Sequence, residues 1–361
     1  MEHAGSAEPM PEELSPRRVG RRLVELGVVV ALIAVFVLTG PGLGNLRRDL
    51  ADAQSGWVLA GVALEVLSAL SYVVIFRAVF CRQMRWRLSY QIGMAEQAAN
   101  SVLSVSGTGG LALGAWALRK GGMSTEHIAR RSVAFFFLTS LPNVVGVIVF
   151  AVLFMLGILH HDRDPALTYA FGALATVATV LVVAVLPRLR GEKPEHQPRE
   201  RRGLRLAWGW LRYSLGQGVR DALMLLRHRP ILVLAGSIGI VGFDIAVLGV
   251  AFKALGYSPS VGVLALGYLI GQLGGNIPIP GGIGGIDGGL IGAFALYHQP
   301  LAVSTAAVLI YHAIALWVPA LLGSVAFVQL RRTLQREEQA AALCAPLAEP
   351  IEAVHLPAPA G

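Results

Sequence analysis

The sequence predicts an all-α polytopic membrane protein, with six full transmembrane helices plus two re-entrant helical hairpins in an inverted repeat. Three observations predict it. First, 55% of the 361 residues are hydrophobic and only 14% are charged, against about 25% charge in soluble domains; the mean hydropathy is +0.62. Second, several apolar runs reach the roughly 18 residues needed to cross a bilayer. Third, the order of elements in the first half recurs in the second.

The elements follow in order. Residues 1–21 form a polar tail containing Arg17, Arg18 and Arg21. The first crossing, 22–40, has no convincing cleavage site behind it and reads as an uncleaved helix. Crossings follow at 57–77, 132–159, 166–187, 231–253 and 301–329. Segments 91–118 and 261–298 are apolar but broken by glycine. The first lies between two basic stretches, Arg77, Arg82, Arg85 and Arg87 before it and Arg119, Lys120, Arg130 and Arg131 after it. Basic loops stay cytoplasmic, so this segment enters and leaves on one side as a re-entrant hairpin. The connection 188–229 is basic and cytoplasmic on the same rule. The segment 261–298 must then be re-entrant from outside, and Arg331 and Arg332 place the C-terminus inside with the N-terminus. The net charge of +8 is thereby explained by loops facing the cytoplasm, and nucleic-acid binding is not expected.

The membrane repeats are 22–159 and 160–330. Val58-Leu59-Ala60-Gly61 matches Val233-Leu234-Ala235-Gly236, Phe76-Arg77-Ala78 matches Phe252-Lys253-Ala254, and Gly114–Leu118 matches Gly292–Leu296. Asn100 follows Phe76 at the spacing by which Asn276 follows Phe252. An inverted repeat is a common transporter plan, with the site at the repeat interface. Within 203–229, Leu204, Trp208, Leu211, Leu215, Val219, Ala222 and Leu226 share a helical face among arginines. Such a helix lies on an anionic leaflet or packs against neighbouring spans, and the spacing leaves both open. The tail 331–361, rich in Ala, Pro and Glu beyond residue 335, is expected to be disordered.

The run from Gly274 to Asp287 holds Asn276, Pro278, Pro280, Gly281 and Gly282. Two prolines and this many glycines interrupt a helix, and free backbone groups at membrane depth need a cavity or protein to satisfy them. Two half-helices meeting here would aim a helix end and bare carbonyls at an ion or headgroup. The first hairpin, with Glu96 and Asn100, is a proline-free echo. Glu65 and Asp244 fall mid-crossing; with Asp287 and Glu96 they make an acidic set. An ionisable residue in a membrane helix costs at least ~2.5 kcal/mol on insertion scales, so these four acids are read as carriers of protons or partners of a cationic headgroup. Tyr268, Gln272, Asn143, Tyr311 and His312 are read as helix contacts rather than ligands. No catalytic set, no metal-ligand spacing among the nine histidines and no cofactor motif is found, so neither an enzyme nor a bound cofactor is expected.

Asn276–Asp287 resembles the Asn-x-x-Pro-x-Pro-Gly-Gly-x-Gly-x-x-Glu region of the lysylphosphatidylglycerol-synthase transmembrane (flippase-like) family. The similarity extends over about residues 20–330. It implies a multi-pass protein of the bacterial inner membrane that moves an aminoacylated phospholipid across the bilayer. The chain departs from the family by carrying Asp287 where the family has glutamate, by lacking the proline, Gly-Glu and arginine of many first hairpins, and by lacking the soluble synthase domain. The expected function is a flippase for a polar or cationic lipid headgroup, either aminoacyl-phosphatidylglycerol or a polyprenyl-linked lipid, with proton coupling and a separate lipid-modifying enzyme as its partner. The alternatives are a non-transporting scaffold for an envelope-lipid enzyme and an ion-coupled carrier of small solutes.

Overall fold

The computed structural model describes residues 53–103, 108–156, 204–272 and 285–336, with isolated positions at 27–28, 44, 48, 173 and 177. Among the described residues the secondary structure is helical, with no strand. In chain order the helices are α1 (Ser55–Phe80), α2 (Trp86–Leu103), α3 (Thr108–Lys120), α4 (Thr125–Met155), α5 (Leu204–His228), α6 (Pro230–Ala254), α7 (Val261–Gly271), α8 (Gly285–Leu296) and α9 (Leu301–Arg336).

Four of them, α1, α4, α6 and α9, are long and apolar enough to cross a membrane. They correspond to the expected crossings at 57–77, 132–159, 231–253 and 301–329. The crossings expected at 22–40 and 166–187 lie outside the described residues. Leu59, Phe136 and Ile231 are each more than two-thirds exposed, an arrangement that lipid accommodates and water does not. At ~1.5 Å per residue, α7 and α8 are each too short to cross a hydrocarbon core of about 30 Å. They pack against each other, as α2 packs against α3. The two glycine-broken segments are therefore pairs of shorter helices.

Omitting α5, the order α1–α4 recurs as α6–α9. The principal contacts recur with it. The contacts α1–α2, α2–α3 and α3–α4 match α6–α7, α7–α8 and α8–α9, and the crosswise contacts α2–α9 and α1–α9 match α7–α4 and α6–α4. The most extensive contact, α1 with α6, is its own counterpart. These two helices run antiparallel, since the Gln54 N–H at the start of α1 donates to the Ala254 carbonyl at the end of α6, 2.9 Å away. Each short-helix pair thus packs on the last long helix of the other half.

Glycines show the same two-fold relation at atomic scale. Lipid tails are as apolar as side chains, so membrane helices associate through close contact at small residues. A Cβ on Gly61 of α1 would lie 3.3 Å from Val250 of α6, and one on Gly236 of α6 would lie 2.7 Å from Ile75 of α1. Likewise Gly146 of α4 faces Leu269 of α7, while Gly323 of α9 faces the Met94 carbonyl of α2. Pro142 inside α4 and Pro319 inside α9 also stand at corresponding places.

The ends of α3 and α8 are built alike. The Gly122 and Met123 N–H groups donate to the Arg119 and Leu118 carbonyls, and those of His298 and Gln299 to the Ala295 and Phe294 carbonyls. Both caps need a left-handed residue. The first half supplies Gly122 at φ 88° and the second His298 at φ 54°. A side chain in that region costs roughly 1–2 kcal/mol, so His298→Gly is expected to raise the thermal unfolding midpoint of the purified protein by a few degrees, an increment of about 1 kcal/mol.

Helix α5 packs on α4 and α6. Val219 and Ala222 are buried, Gly218 abuts Val133, Arg130 pairs with Asp221 at 3.0 Å and the Tyr213 hydroxyl donates to Glu126 at 3.0 Å. The later part of its apolar face, Val219 and Ala222, therefore packs against neighbouring spans.

Candidate functional site

The antiparallel contact of α1 with α6 brings one acid from each half together. Glu65 enters from α1, two-fifths of the way along the helix, and Asp244 from α6. The spacing Gly61, Glu65, Ser68 puts Glu65 and Ser68 on the helix face that the close glycine contact presses against α6. Glu65 is 4% exposed and lies within electrostatic reach of Asp244. The Ser68 hydroxyl donates to Asp244 Oδ1 at 2.7 Å, and the Tyr268 hydroxyl of α7 donates to Asp244 Oδ2 at 2.8 Å. Tyr311 of α9 stacks edge-on against Tyr268, with ring centroids 6.2 Å apart, and is hydrogen-bonded to both Tyr268 and Gln272.

One polar network therefore runs through four helices from Ser68 to Gln272. It ends four residues before Asn276 in the chain. Asp244 has both oxygens engaged, whereas Glu65 Oε2 is buried with no hydrogen-bond partner among the described residues. A buried acceptor without a donor costs roughly 1–3 kcal/mol. Protonation of Glu65, or the arrival of a cation, relieves that cost.

The other two acids occupy separate places. Glu96, on α2, is 6% exposed and hydrogen-bonded to Tyr72 of α1. Its carboxyl lies against Gly114 of α3, where a Cβ would stand 3.0 Å from it. Asn100 has a local task, since its Oδ1 accepts the Gly110 N–H at 2.9 Å and so ties the start of α3 to the end of α2. Asp287, in the first turn of α8, pairs with His312 of α9 at 2.7 Å. A carboxylate there also suits the positive end of the helix dipole. Asn276, Pro278, Pro280, Gly281 and Gly282 lie outside the described residues. No cluster of metal-ligating side chains occurs among the described residues.

The four acids are thus one pair and two singles. The pair sits at the contact between the two halves. The model for the lysylphosphatidylglycerol synthase TM region matches residues 23–323. The chain belongs to this family. It is also 26% identical over 337 residues to a UPF0104 membrane protein of Methanothermobacter thermautotrophicus, an alignment covering 84% of this chain and 93% of that protein. The family assignment accounts for a membrane-embedded chain whose long apolar helices repeat.

Four residues gain roles beyond a plain helix contact. Tyr268, Tyr311 and Gln272 complete the shell of Asp244, and His312 partners Asp287. Their polar ends are what the sequence reading underrated, because each stands in an apolar run where an aromatic ring or a lone histidine is ordinary. Ser68 and Tyr72 were missed altogether. They follow Glu65 by three and seven residues, the spacing of one helix face, and that was the available signal.

Proposed function

We propose that this protein moves a polar or cationic lipid headgroup across the bilayer by alternating access around the α1–α6 contact. The observation that carries this reading is the pair Glu65 and Asp244, one acid from each half, buried where the halves meet. A carboxylate pair of this kind suits a cationic headgroup or a proton, and a fixed hydrogen-bonded shell from Ser68 and Tyr268 holds Asp244 while leaving Glu65 available. The short-helix pairs α2–α3 and α7–α8 act as re-entrant hairpins in this scheme, each docked on the other half. Rocking of one half against the other then changes which face the acids see. The basic stretches after α1 and before α4, with α5, face the cytoplasm, together with both termini. Aminoacyl-phosphatidylglycerol fits the acids by charge, and a polyprenyl-linked lipid would use the proton instead.

The test is translocation in proteoliposomes of the full chain. Labelled lysyl-phosphatidylglycerol, a neutral phospholipid and a polyprenyl phosphate are followed with and without a proton gradient. Selective movement of one class supports the proposal and names the substrate class. No movement of any, from protein shown to be folded, sinks it and favours the scaffold reading. In the same assay Asp287→Asn is expected to abolish movement of the substrate while leaving protein in the membrane. Asparagine preserves the shape beside His312 but removes the carboxylate, so unchanged translocation would take Asp287 out of the mechanism.

A further inference from the structure

A second polar site lies where four helix ends meet. The C-termini of α1 and α5 and the N-termini of α4 and α6 line an open cavity of about 380 Å³. Its walls carry Arg82, Arg131, Arg229, His127, His228 and Ser124, and no acidic residue. Of the nearby acids, Asp221 pairs with Arg130 and also lies within electrostatic reach of Arg131 and His127, while Glu126 accepts from Tyr213. Arg131 Nε is buried with no hydrogen-bond partner among the described residues. Arg229 is the N-cap of α6, a position with no side-chain cap bond and no acid in the turn that follows.

Arg229 donates to the Ala78 carbonyl at the C-terminal end of α1, 3.4 Å away, an end that favours positive charge. Three guanidinium groups gathered around one cavity still repel each other. An anion in the cavity would offset that repulsion, and its oxygens would meet planar donors suited to phosphate. The remaining wall is apolar, with Phe80, Met123 and Leu225. Polar and apolar walls together, at the end of the long helices, match the amphiphilic zone where phospholipid phosphates lie.

We propose that this cavity is a phosphate-binding site, filled by the headgroup phosphate of an anionic phospholipid. It is distinct in position and sign from the acid pair, and it stands whether or not the protein transports lipid. The site would recognise the phosphate of a phosphatidylglycerol-type lipid and hold α5 against the ends of α1, α4 and α6.

Native mass spectrometry of the detergent-solubilised full chain tests it, with titrations of phosphatidylglycerol, phosphatidylcholine and inorganic phosphate. Wild type is compared with Arg131→Gln, Arg82→Gln and the charge-matched Arg87→Gln, whose side chain is exposed and does not line the cavity. Loss of one charge-assisted pair is expected to weaken phosphatidylglycerol binding about tenfold in the first two variants, with Arg87→Gln unchanged. Arg82 is exposed, so its variant reports even if Arg131→Gln fails to fold. Displacement of the lipid by inorganic phosphate would assign the site to a free phosphate, whereas retention assigns it to the lipid. Equal binding by all three variants, or no binding of either ligand, overturns the proposal.

Discussion

Asp244→Asn is expected to lower translocation about 100-fold while leaving the amount of protein in the membrane unchanged. The magnitude follows from the ~2.5–3.5 kcal/mol that an ionised residue costs at the centre of a membrane helix on insertion scales. A site that carries a cation or proton must recover that cost, and 1.36 kcal/mol corresponds to tenfold. Asparagine keeps the shape of the side chain and an oxygen for the Ser68 hydroxyl, which donates at 2.7 Å in the native protein. The amide can meet the Tyr268 oxygen, so folding survives while the charge is lost. Glu65→Gln is expected to act on the same step. If the two carboxylates share one cation or proton, the double variant loses no more than the worse single one, because residues acting as a unit are strongly non-additive. Losses that multiply would instead show two independent sites, and translocation unaffected by either change would remove the pair from the mechanism.

The long helices were legible because an apolar run of sufficient length has few alternatives. The bounds of α6, Pro230–Ala254, fall within a residue of the span 231–253 read from sequence. The short pair α7–α8 was legible for the opposite reason, since glycine and proline forbid one continuous helix through 261–298. The inverted repeat was readable only as scattered matches such as Gly61 with Gly236, and both glycines prove to stand at close contacts between α1 and α6. What could not be read was pairing. Nothing in the sequence says that Glu65 faces Asp244, because that depends on the register in which two featureless apolar helices cross. The same limit hid the use of α5. Spacing at three and four residues fixes which face is apolar, but only tertiary structure shows that α4 and α6 pack on its Val219–Ala222 part. The Tyr268 hydroxyl stayed hidden because a tyrosine in an apolar run reads as bulk.

That dependence on register makes the glycine contacts the place where small changes cost most. Gly323→Ala is expected to destabilise the protein by about 3 kcal/mol, the upper end for an overpacked site. A Cβ there would overlap the Met94 carbonyl and stand 2.5 Å from the Ala98 Cβ. Both belong to the rigid part of α2, so the two helices must separate. Its two-fold counterpart offers an internal comparison. A Cβ on Gly146 meets the end of the Leu269 side chain at 2.9 Å, which can rotate, so Gly146→Ala should cost less than half as much, about 1 kcal/mol. Gly242, with nothing within 4 Å of its Cβ position, serves as the control. There alanine should be neutral or slightly stabilising, by up to ~1 kcal/mol from its better helix propensity. Thermal unfolding of the three variants in one detergent ranks them directly. The order Gly323, Gly146, Gly242 is the expected one, and equal midpoints would mean that α2 does not dock on α9 in this register. Because α2 belongs to the first half and α9 to the second, the Gly323 variant also separates the halves. A transporter that rocks one half on the other should then lose translocation at temperatures where the protein is still folded.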